Sequence, residues 1–457
     1  MKQAVQKQKL DMLNGSLWNK IPQFALPVAA TAILEQLFNA SDIAVVGNFS
    51  GAASTIAVAA VGANSFVISL VVNFFIGIAL GANVVIANAI GREDTDAVHR
   101  AVHTAVVVAV LGGALVTVLG ELVAGPALRA LNVPAEVLPY ALLYLRIYLL
   151  GVPVILLYNF EAAIFRSVGD TRVPLQTLAF SGVLNVLLNL FFVIVLHMTV
   201  NGVATATVLS NAISSVLLFV RLRRSDKAIH LEWAELRIDR RSLQKILQIG
   251  IPAGIQSAVF SISNIVIQSA INSLGTVVMA ASSAAFNIEV VAYDVLNSFS
   301  QACTTFVGQN YGAGKLDRCR KTLVLCLVED ALASGIAILL VLGSGHFLLS
   351  LFNRDPEVIA LGYTRLMTVF TAYFFSMLYE VMSGYLRGFG ISLVPALLTM
   401  LGVCGVRILW IATAFPRSRT FQTILLAYPL SLAATAVLIL LALLIYHPSR
   451  RTKGETV

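Results

Sequence analysis

The sequence predicts an all-α polytopic membrane protein, with twelve transmembrane helices arranged as two parallel-repeat lobes of six. Composition is the first reason: 58% of the 457 residues are hydrophobic and only 12% are charged, whereas soluble domains carry about 25% charged residues. The mean hydropathy of +0.86 agrees with this class. The other two reasons are a series of apolar segments and an internal repeat.

Twelve apolar segments follow one another along the chain. Each is near or above the length of about 20 residues that a helix needs to cross a bilayer. They lie at about residues 21–46, 57–88, 97–124, 136–160, 173–196, 202–220, 244–272, 276–308, 319–343, 357–384, 394–415 and 422–446. The first segment is too long for a cleavable signal peptide and lacks a small-residue cleavage site, so we expect it to remain as a helix.

The basic residues predict the orientation of the helices. Most of the 31 lysines and arginines lie in the N-terminal segment, in the loops after even-numbered spans and in the C-terminal segment. The opposite face is expected to hold only Arg129, Arg354, Arg365, Arg417 and Arg419. Because cytoplasmic loops carry an excess of Lys and Arg, we expect both termini in the cytoplasm. The net charge of +8 is then a topology signal, and no nucleic-acid partner is expected.

The two halves of the chain repeat at an offset of 221 residues. Unrelated apolar stretches would often agree on Leu or Val, but rarely on Arg, Gly and Pro at one spacing. The matched pairs are Gly91 and Gly312, Asp96 and Asp317, Tyr158 and Tyr379, Arg166 and Arg387, Gly169 and Gly390, Pro174 and Pro395, and Ser210 and Ser431, with Pro27 and Pro252 matching after a slip of four residues. An even number of spans per half makes the repeats parallel, which is a known plan of transporters whose site lies near mid-membrane.

The repeat also predicts the domain organisation. The longest loop is rich in basic residues and joins the two halves. The predicted parts are a cytoplasmic N-terminal lead at 1–20, an N-lobe at 21–222, a cytoplasmic linker at 223–243, a C-lobe at 244–446 and a cytoplasmic tail at 447–457.

The first apolar segment carries two acids and an asparagine at a regular spacing. Glu35, Asn39 and Asp42 are spaced i, i+4, i+7, so on a helix they lie along one face. A charged side chain at mid-membrane costs about 2.5–3.5 kcal/mol even on insertion scales, so we expect this face to line an interior or a water-filled cavity that binds ions or a cationic substrate. The alternative is a solvated helix end, since Asp42 lies shortly before Gly47.

Span five carries Asn185 and Asn189, one turn apart on a common face. They could complete the polar pocket that Asp42 begins. The alternative is that they form hydrogen bonds between helices, which is a frequent use of Asn in membranes.

The second half has candidates of its own. Glu380 and Arg407 are opposite charges in consecutive spans, and we expect them to pair with each other because a lone charge of either sign would be costly. Such an ion pair could hold this lobe in one conformation, or it could separate when a proton binds. Glu289 and Asp294 of span eight could line a cavity.

Motifs of soluble enzymes are not expected to operate here. The segment Gly308–Lys315, GQNYGAGK, is one residue too long between its glycines for a phosphate loop, and Leu316 stands where Ser or Thr would bind magnesium. His99 and His103 lack the HExxH pattern, so no metal site is expected. The four cysteines form no CxxC pair. We expect no enzymatic activity and no cofactor apart from a coupling ion.

These motifs together resemble the multidrug and toxic-compound extrusion (MATE) transporters over about residues 15–445, and the details are similar to the bacterial members near the DinF-like branch. The resemblance is carried by LFNASDIAVVG in span one, NVVIANAIGREDTDAV after span two, FRSVGDTRVP after span four, and TFVGQNYGAGK and YLRGFGISLVP in the second half. It implies two six-helix lobes forming a V, and export of amphipathic, often cationic, compounds in exchange for H⁺ or Na⁺.

The resemblance also implies roles for individual residues. Asp42 matches the first-helix acid that the family uses as its protonation or cation site, and Asn185 and Asn189 lie where the family places polar partners. Phe260 stands where another branch has an acid, and Glu380 lies about one turn from that branch's second acid. We therefore expect a monomer in the lipid bilayer of a bacterial inner membrane that exports small amphipathic organic cations. The alternative is a flippase for a lipid-linked or polyprenyl-type substrate.

Overall fold

The computed structural model describes residues 10–51, 54–131, 133–225 and 228–449 of the chain. Within these ranges twelve helices are long and apolar enough to cross a membrane, which confirms the predicted number. They are α1 Leu17–Phe49, α2 Ser54–Gly91, α3 Thr95–Ala130, α4 Leu138–Ser167, α5 Arg172–Val195, α6 Val200–Arg223, α7 Arg240–Asn272, α8 Thr276–Gly312, α9 Leu316–Ser350, α10 Pro356–Gly388, α11 Leu393–Thr413 and α12 Phe421–Tyr446. Residues 1–9 of the predicted lead and 450–457 of the predicted tail lie outside the described residues.

The chain forms two compact units. The first contains Ala30–Gly250, and the second contains Leu10–Ala29 together with the described residues from Ile251 onward. The divisions fall inside α1 and inside α7, so the first helix supplies residues to both units. The predicted lobe boundaries, which follow the repeat, stay a prediction.

The first unit packs its helices closely at glycines. A Cβ atom at Gly113 of α3 would lie 2.4 Å from the Cα atom of Pro153 in α4, so only glycine permits this approach of the two backbones. At Gly182 of α5 a Cβ atom would lie 1.8 Å from the ring of Phe38 in α1. Phe38 precedes Asp42 by one turn, so this contact fixes the acidic part of α1 against α5.

Two transmembrane helices contain π-helical turns. In α5 the turn covers Phe191–Val195 and begins two residues after Asn189. In α11 it covers Met400–Gly405 and ends two residues before Arg407. Such turns interrupt the regular register of a helix and are frequent at functional sites.

The second unit holds the N-terminal segment firmly. Ile21 and Phe24 of α1 are fully buried, and the Phe24 ring packs edge-on against Phe306 with 5.9 Å between centroids. The segment GQNYGAGK contributes to this anchoring: Asn310 Nδ2 donates to the Met12 carbonyl oxygen at 3.2 Å. Lys315 Nζ of the same segment donates to the carbonyl oxygen of Leu13 at 2.9 Å.

The segment that connects α6 to α7 is packed within the first unit. Ile229 is fully buried and Leu231 is 1% exposed. The backbone N–H of Asp239 donates to Thr104 Oγ1 of α3 at 3.0 Å. Asp239 in turn caps α7, because its Oδ2 accepts hydrogen bonds from the backbone N–H and the hydroxyl of Ser242, both at 2.8 Å. These two hydrogen bonds lower the pKa of the Asp239 carboxyl below its usual value.

Replacing Gly182 with Ala should weaken the packing of α1 against α5. The added methyl group would collide with the Phe38 ring, and overpacking of this kind typically costs about 1–3 kcal/mol. We expect Gly182→Ala to lower the apparent melting temperature of the purified protein. Gly125→Ala in α3 is the control, because nothing lies within 4 Å of a Cβ atom at that position. Equal melting temperatures for the two variants would show that this contact does not constrain α1.

Candidate functional site

The first unit contains a cavity of about 490 Å³ formed by α1, α2, α4, α5 and α6. Side chains from all five helices reach it, and many of them are polar or aromatic. The polar and aromatic lining residues are Glu35, Gln36, Phe38, Asn39, Asp42, Ser65, Ser69, Asn73, Tyr144, Tyr148, Tyr158, Asn159, Ser181, Asn185, Thr207, Ser210 and Asn211.

Asp42 is the most buried acid of this cavity, at 5% exposed. Its Oδ1 accepts a hydrogen bond of 2.6 Å from Asn189 Nδ2 of α5. Its Oδ2 accepts one of 2.9 Å from Thr207 Oγ1 of α6. Each carboxylate oxygen therefore has a donor from a different neighbouring helix, and charged hydrogen bonds of this kind are stronger than neutral ones.

The two asparagines of α5 extend this network. Asn189 Nδ2 also donates to Asn185 Oδ1 at 3.1 Å, and Asn185 Nδ2 donates to Ser210 Oγ at 3.4 Å. An amide nitrogen carries two hydrogens, so Asn189 can serve Asp42 and Asn185 at the same time. The structure thus places Asn189 in contact with Asp42 and Asn185 in contact with Asn189. Both asparagines therefore belong to the network around Asp42.

Sequence reasoning did not name two members of this network, Ser210 and Thr207, as site residues. Thr207 is the one that contacts Asp42 directly. Its hydroxyl lies 2.9 Å from Asp42 Oδ2 and 3.0 Å from the carbonyl oxygen of Val203. A hydroxyl has a single proton, so it can donate to only one of these oxygens at a time. One available signal was that Thr207 lies one turn before Ser210, which the repeat had already singled out.

Glu35 and Asn39 line the same cavity as Asp42, on the face that their spacing predicts. Glu35 is partly buried and Asn39 is exposed. Aromatic rings also line the cavity. Among them, Tyr144 and Tyr148 of α4 stack with 6.4 Å between their centroids. The cavity therefore combines two carboxyl groups with π-faces, and both favour positive charge.

In the second unit, Glu289 is neutralised by a residue that the sequence analysis had placed at the outer face. Arg365 lies within α10 and is only 2% exposed, so it is a buried residue of this span, and its assignment to the outer face stays a prediction. Its Nε and Nη2 donate to the two carboxylate oxygens of Glu289 at 2.7 and 2.9 Å. The sequence analysis did not pair Arg365 with Glu289, since a buried acid on another helix gives no signal in the local sequence.

Glu380 and Arg407 do not form the ion pair that we expected between these two described residues, and that expectation was wrong. Glu380 Oε1 accepts a hydrogen bond from the Tyr293 hydroxyl at 3.0 Å instead. Arg407 donates to Ser431 and Asn264. Consecutive helices need not present two side chains to each other, so order along the chain was a poor guide. Asp294 lies partly buried on α8 and does not line the cavity of the first unit.

His99 and His103 lie with Glu235 in a group whose ligand atoms fall within 4.8 Å of one another. His103 Nδ1 donates to the carbonyl oxygen of His99 at 2.7 Å. Its Nε2 accepts from the backbone N–H of Glu232 at 3.0 Å. Both ring nitrogens of His103 are thus hydrogen-bonded, and this histidine connects the segment between α6 and α7 to α3.

Comparison with known proteins identifies the family. The sequence model of the MatE family matches residues 27–191 and 252–412, which is more than half of the chain. The chain belongs to the MATE family of transporters. It is therefore a multi-pass membrane protein of a multidrug efflux family, as the sequence motifs predicted, whereas its assignment to the DinF-like branch stays a prediction.

Relatives and solved structures agree with this assignment. The chain is 26% identical to the "Probable multidrug resistance protein YoeA" of Bacillus subtilis, with 86% of each protein covered. It is 27% identical to the "Probable multidrug resistance protein NorM" of Thermotoga maritima, covering 88% of this chain and 85% of that protein. A solved outward-facing multidrug resistance MATE transporter shares the fold with a TM-score of 0.89, at 19% identity over 97% of this chain and 99% of that one. These relatives do not favour the flippase alternative.

Removing the Thr207 hydroxyl should favour the protonated form of Asp42. Thr207→Val deprives the carboxylate of one of its two donors, and a hydrogen bond to a charged group contributes about 1.5–3 kcal/mol. We expect the pH midpoint of the Asp42 titration to rise by about one unit, since one unit corresponds to about 1.4 kcal/mol. Infrared difference spectroscopy of the carboxyl group, with Asp42→Asn to identify its band, measures this midpoint.

Thr207→Ser is the control for this titration because it retains the hydroxyl. It should keep the wild-type midpoint. A Thr207→Val midpoint equal to that of the wild type would mean that this hydroxyl does not donate to Asp42.

Proposed function

We propose that this MATE transporter exports small amphipathic organic cations in exchange for protons, which compete with the cation for the Asp42 carboxylate. It does so as a monomer in the bacterial inner membrane, with both termini in the cytoplasm and no cofactor apart from the coupling ion. The distribution of Lys and Arg along the chain supports this orientation.

The lining of the cavity supports a cationic substrate. Glu35 and Asp42 are its only charged residues among those that the structure describes there, and both are acidic. Tyr144, Tyr148 and Tyr158 add aromatic rings on which an organic cation can lie. A volume of about 490 Å³ falls within the usual range of small-molecule pockets.

The observation that carries the proposal is the position of the Thr207 hydroxyl between Asp42 Oδ2 and the Val203 carbonyl oxygen. When Asp42 is ionised, Thr207 donates its proton to the carboxylate. When Asp42 is protonated, its new hydroxyl can donate to Thr207, which then donates to Val203. The same arrangement of heavy atoms therefore satisfies both charge states, as a reversible proton-binding site requires.

The same geometry favours H⁺ over Na⁺ as the coupling ion. Each oxygen of Asp42 faces a hydrogen-bond donor, and Asn189 presents its amide nitrogen to it. Hard metal cations need several oxygen ligands at once, and an N–H donor pointing at the site opposes them. A proton needs only the carboxylate oxygen itself.

Exchange follows from competition for one negative charge. A cationic substrate and a proton cannot both neutralise the same carboxylate, so binding of one promotes release of the other. Each ligand shifts the transporter between its inward-open and outward-open states only by its difference in affinity for them. Downhill entry of protons can thereby drive uphill exit of the substrate.

Transport by Asp42→Asn tests this coupling. In everted membrane vesicles, we expect the wild type to accumulate the fluorescent cation rhodamine 123 when the vesicle interior is acidic, and Asp42→Asn to lose this accumulation. A sodium gradient imposed alone should drive none. The control is Glu121→Gln, which converts an acid outside the cavity to its amide. Proton-driven accumulation by Asp42→Asn at the wild-type rate would refute the scheme, and accumulation driven by sodium alone would refute the choice of ion.

The affinity for the cation should depend on pH in the wild type and not in Asp42→Asn. At high pH Asp42 is ionised and attracts the cation; as the pH falls, protonation removes the charge, so the affinity decreases. The amide of Asn has no charge at any pH, so we expect affinity lowered by about tenfold or more at high pH and independent of pH. Equilibrium binding of rhodamine 123, followed by fluorescence anisotropy in detergent, measures both effects.

A further inference from the structure

The second unit contains a buried cation whose charge the structure leaves uncompensated. Arg407 of α11 is only 3% exposed. Its Nε donates to Ser431 Oγ at 3.0 Å, and its Nη1 lies 3.4 Å from Asn264 Oδ1. Both partners are neutral. No carboxylate oxygen of the described residues forms an ion pair with Arg407 within 4.0 Å.

Arg365 shows how the same unit treats a buried arginine that serves structure alone. Arg365 has both oxygens of Glu289 as partners, and it also donates to Ser282 Oγ at 2.6 Å. Among the described residues, Arg407 has hydrogen-bond acceptors for two of the five N–H groups that a guanidinium offers. An unpaired charge inside a membrane protein is expensive and is a candidate functional site by default.

Aromatic rings hold the Arg407 guanidinium in place without using its N–H groups. The Tyr428 ring lies 4.5 Å from the guanidinium carbon, and the Phe260 ring lies 5.4 Å from it. Stacking of this kind stabilises the cation through the faces of the rings. The N–H groups at the edge of the guanidinium plane therefore stay available to an acceptor.

The repeat relates the surroundings of Arg407 to those of Asp42. At the offset of 221 residues, Ser431 corresponds to Ser210, and Tyr428 corresponds to Thr207, the donor to Asp42. The arginine thus contacts, in α12, the two positions whose counterparts in α6 belong to the Asp42 network.

The other helices of the two sites correspond as well. In the register that matches Pro27 with Pro252, Asn264 of α7 corresponds to Asn39 of α1. The helix that carries Arg407 is the counterpart of α5, and both contain a π-helical turn. The two charges themselves lie on helices that are not counterparts, since Arg407 corresponds to Val186 of α5 and Asp42 to Ile267 of α7. The two units therefore surround opposite charges with corresponding residues, a carboxylate in the first and a guanidinium in the second.

We propose that Arg407, with Asn264, Ser431 and Tyr428, forms an anion-binding site in the second unit that takes the carboxylate of an amphipathic organic acid. A guanidinium matches a carboxylate with two parallel N–H···O bonds, which a single neutral partner such as Ser431 cannot provide. The Tyr428 hydroxyl accepts from Arg365 Nη2 at 3.2 Å and can still donate its own proton, whereas the Ser431 hydroxyl donates its proton to the Tyr428 carbonyl oxygen at 3.0 Å. The Asn264 amide adds a further polar group. The proposal extends the substrates of the proposed exporter to compounds that carry a negative group, and in that sense it rests on the proposed function.

Two dyes that differ only in the anionic group test the site. Rhodamine 110 carries a free carboxylate, and rhodamine 123 is its methyl ester. Equilibrium binding to the purified full chain is measured by fluorescence anisotropy, with no ion gradient. We expect Arg407→Gln to weaken binding of rhodamine 110 by about tenfold to a hundredfold, as expected for loss of charged hydrogen bonds, and to leave rhodamine 123 unaffected. Arg407→Lys should restore part of the affinity because it keeps the charge.

Arg146→Gln is the matched control, since Arg146 lies in the first unit and pairs with Glu121 outside the cavity. It removes the same charge and should change neither affinity. Equal weakening of both dyes by Arg407→Gln would show a structural role and overturn the proposal, as would unchanged binding of rhodamine 110. Because binding is measured without a gradient, failure of proton coupling would not be mistaken for failure of this site.

A measurement on the wild type covers the case in which Arg407→Gln does not fold. Benzoate is a carboxylate without the dye's ring system, and it should displace rhodamine 110 but not rhodamine 123. Failure of benzoate to displace rhodamine 110, or equal displacement of both dyes, would overturn the proposal.

Discussion

The buried carboxylate of Asp42 is stabilised by hydrogen-bond donors, and neighbouring helices supply them. Its two oxygens draw donors from α5 and α6, so three helices must converge within a few ångströms. The close approach of α1 to α5 is possible because Gly182 leaves room for Phe38. The polar network and the contact between Gly182 and Phe38 thus both act on the part of α1 that carries Asp42.

In the second unit the buried acids have different kinds of partner. Glu289 and Arg365 neutralise each other, and Glu380 accepts a hydrogen bond from Tyr293. The ion pair uses both oxygens of Glu289, whereas the tyrosine hydroxyl bonds one oxygen of Glu380. Arg407 has only neutral hydroxyl, amide and aromatic partners in the described part of the chain. Arg387, also buried, donates to the neutral amide oxygen of Gln256.

The sequence predicted the helices well because a run of about 20 apolar residues has few alternatives to a membrane span. The common face of Glu35, Asn39 and Asp42 followed from helical spacing, and the same argument led to Asn185 and Asn189. These inferences needed only local periodicity, which a single helix already contains.

What the sequence did not reveal depends on contacts between helices. Thr207 was overlooked because membrane threonines often bond only to their own helix, as Thr205 does to Asn201. Arg365 and its acid are 76 residues apart, and no local pattern links them. Pairing Glu380 with Arg407 failed for the same reason, because proximity along the chain was used in place of proximity in space.

The connection between the two halves has a consequence for engineering the protein. A long basic loop would normally be the natural place to insert a reporter domain or to divide the gene. Here Ile229 and Leu231 are buried, and the backbone of Glu232 and Asp239 is bonded to α3. A foreign sequence placed between residues 229 and 239 would have to displace this packed backbone, so the segment is a poor fusion site despite its charge.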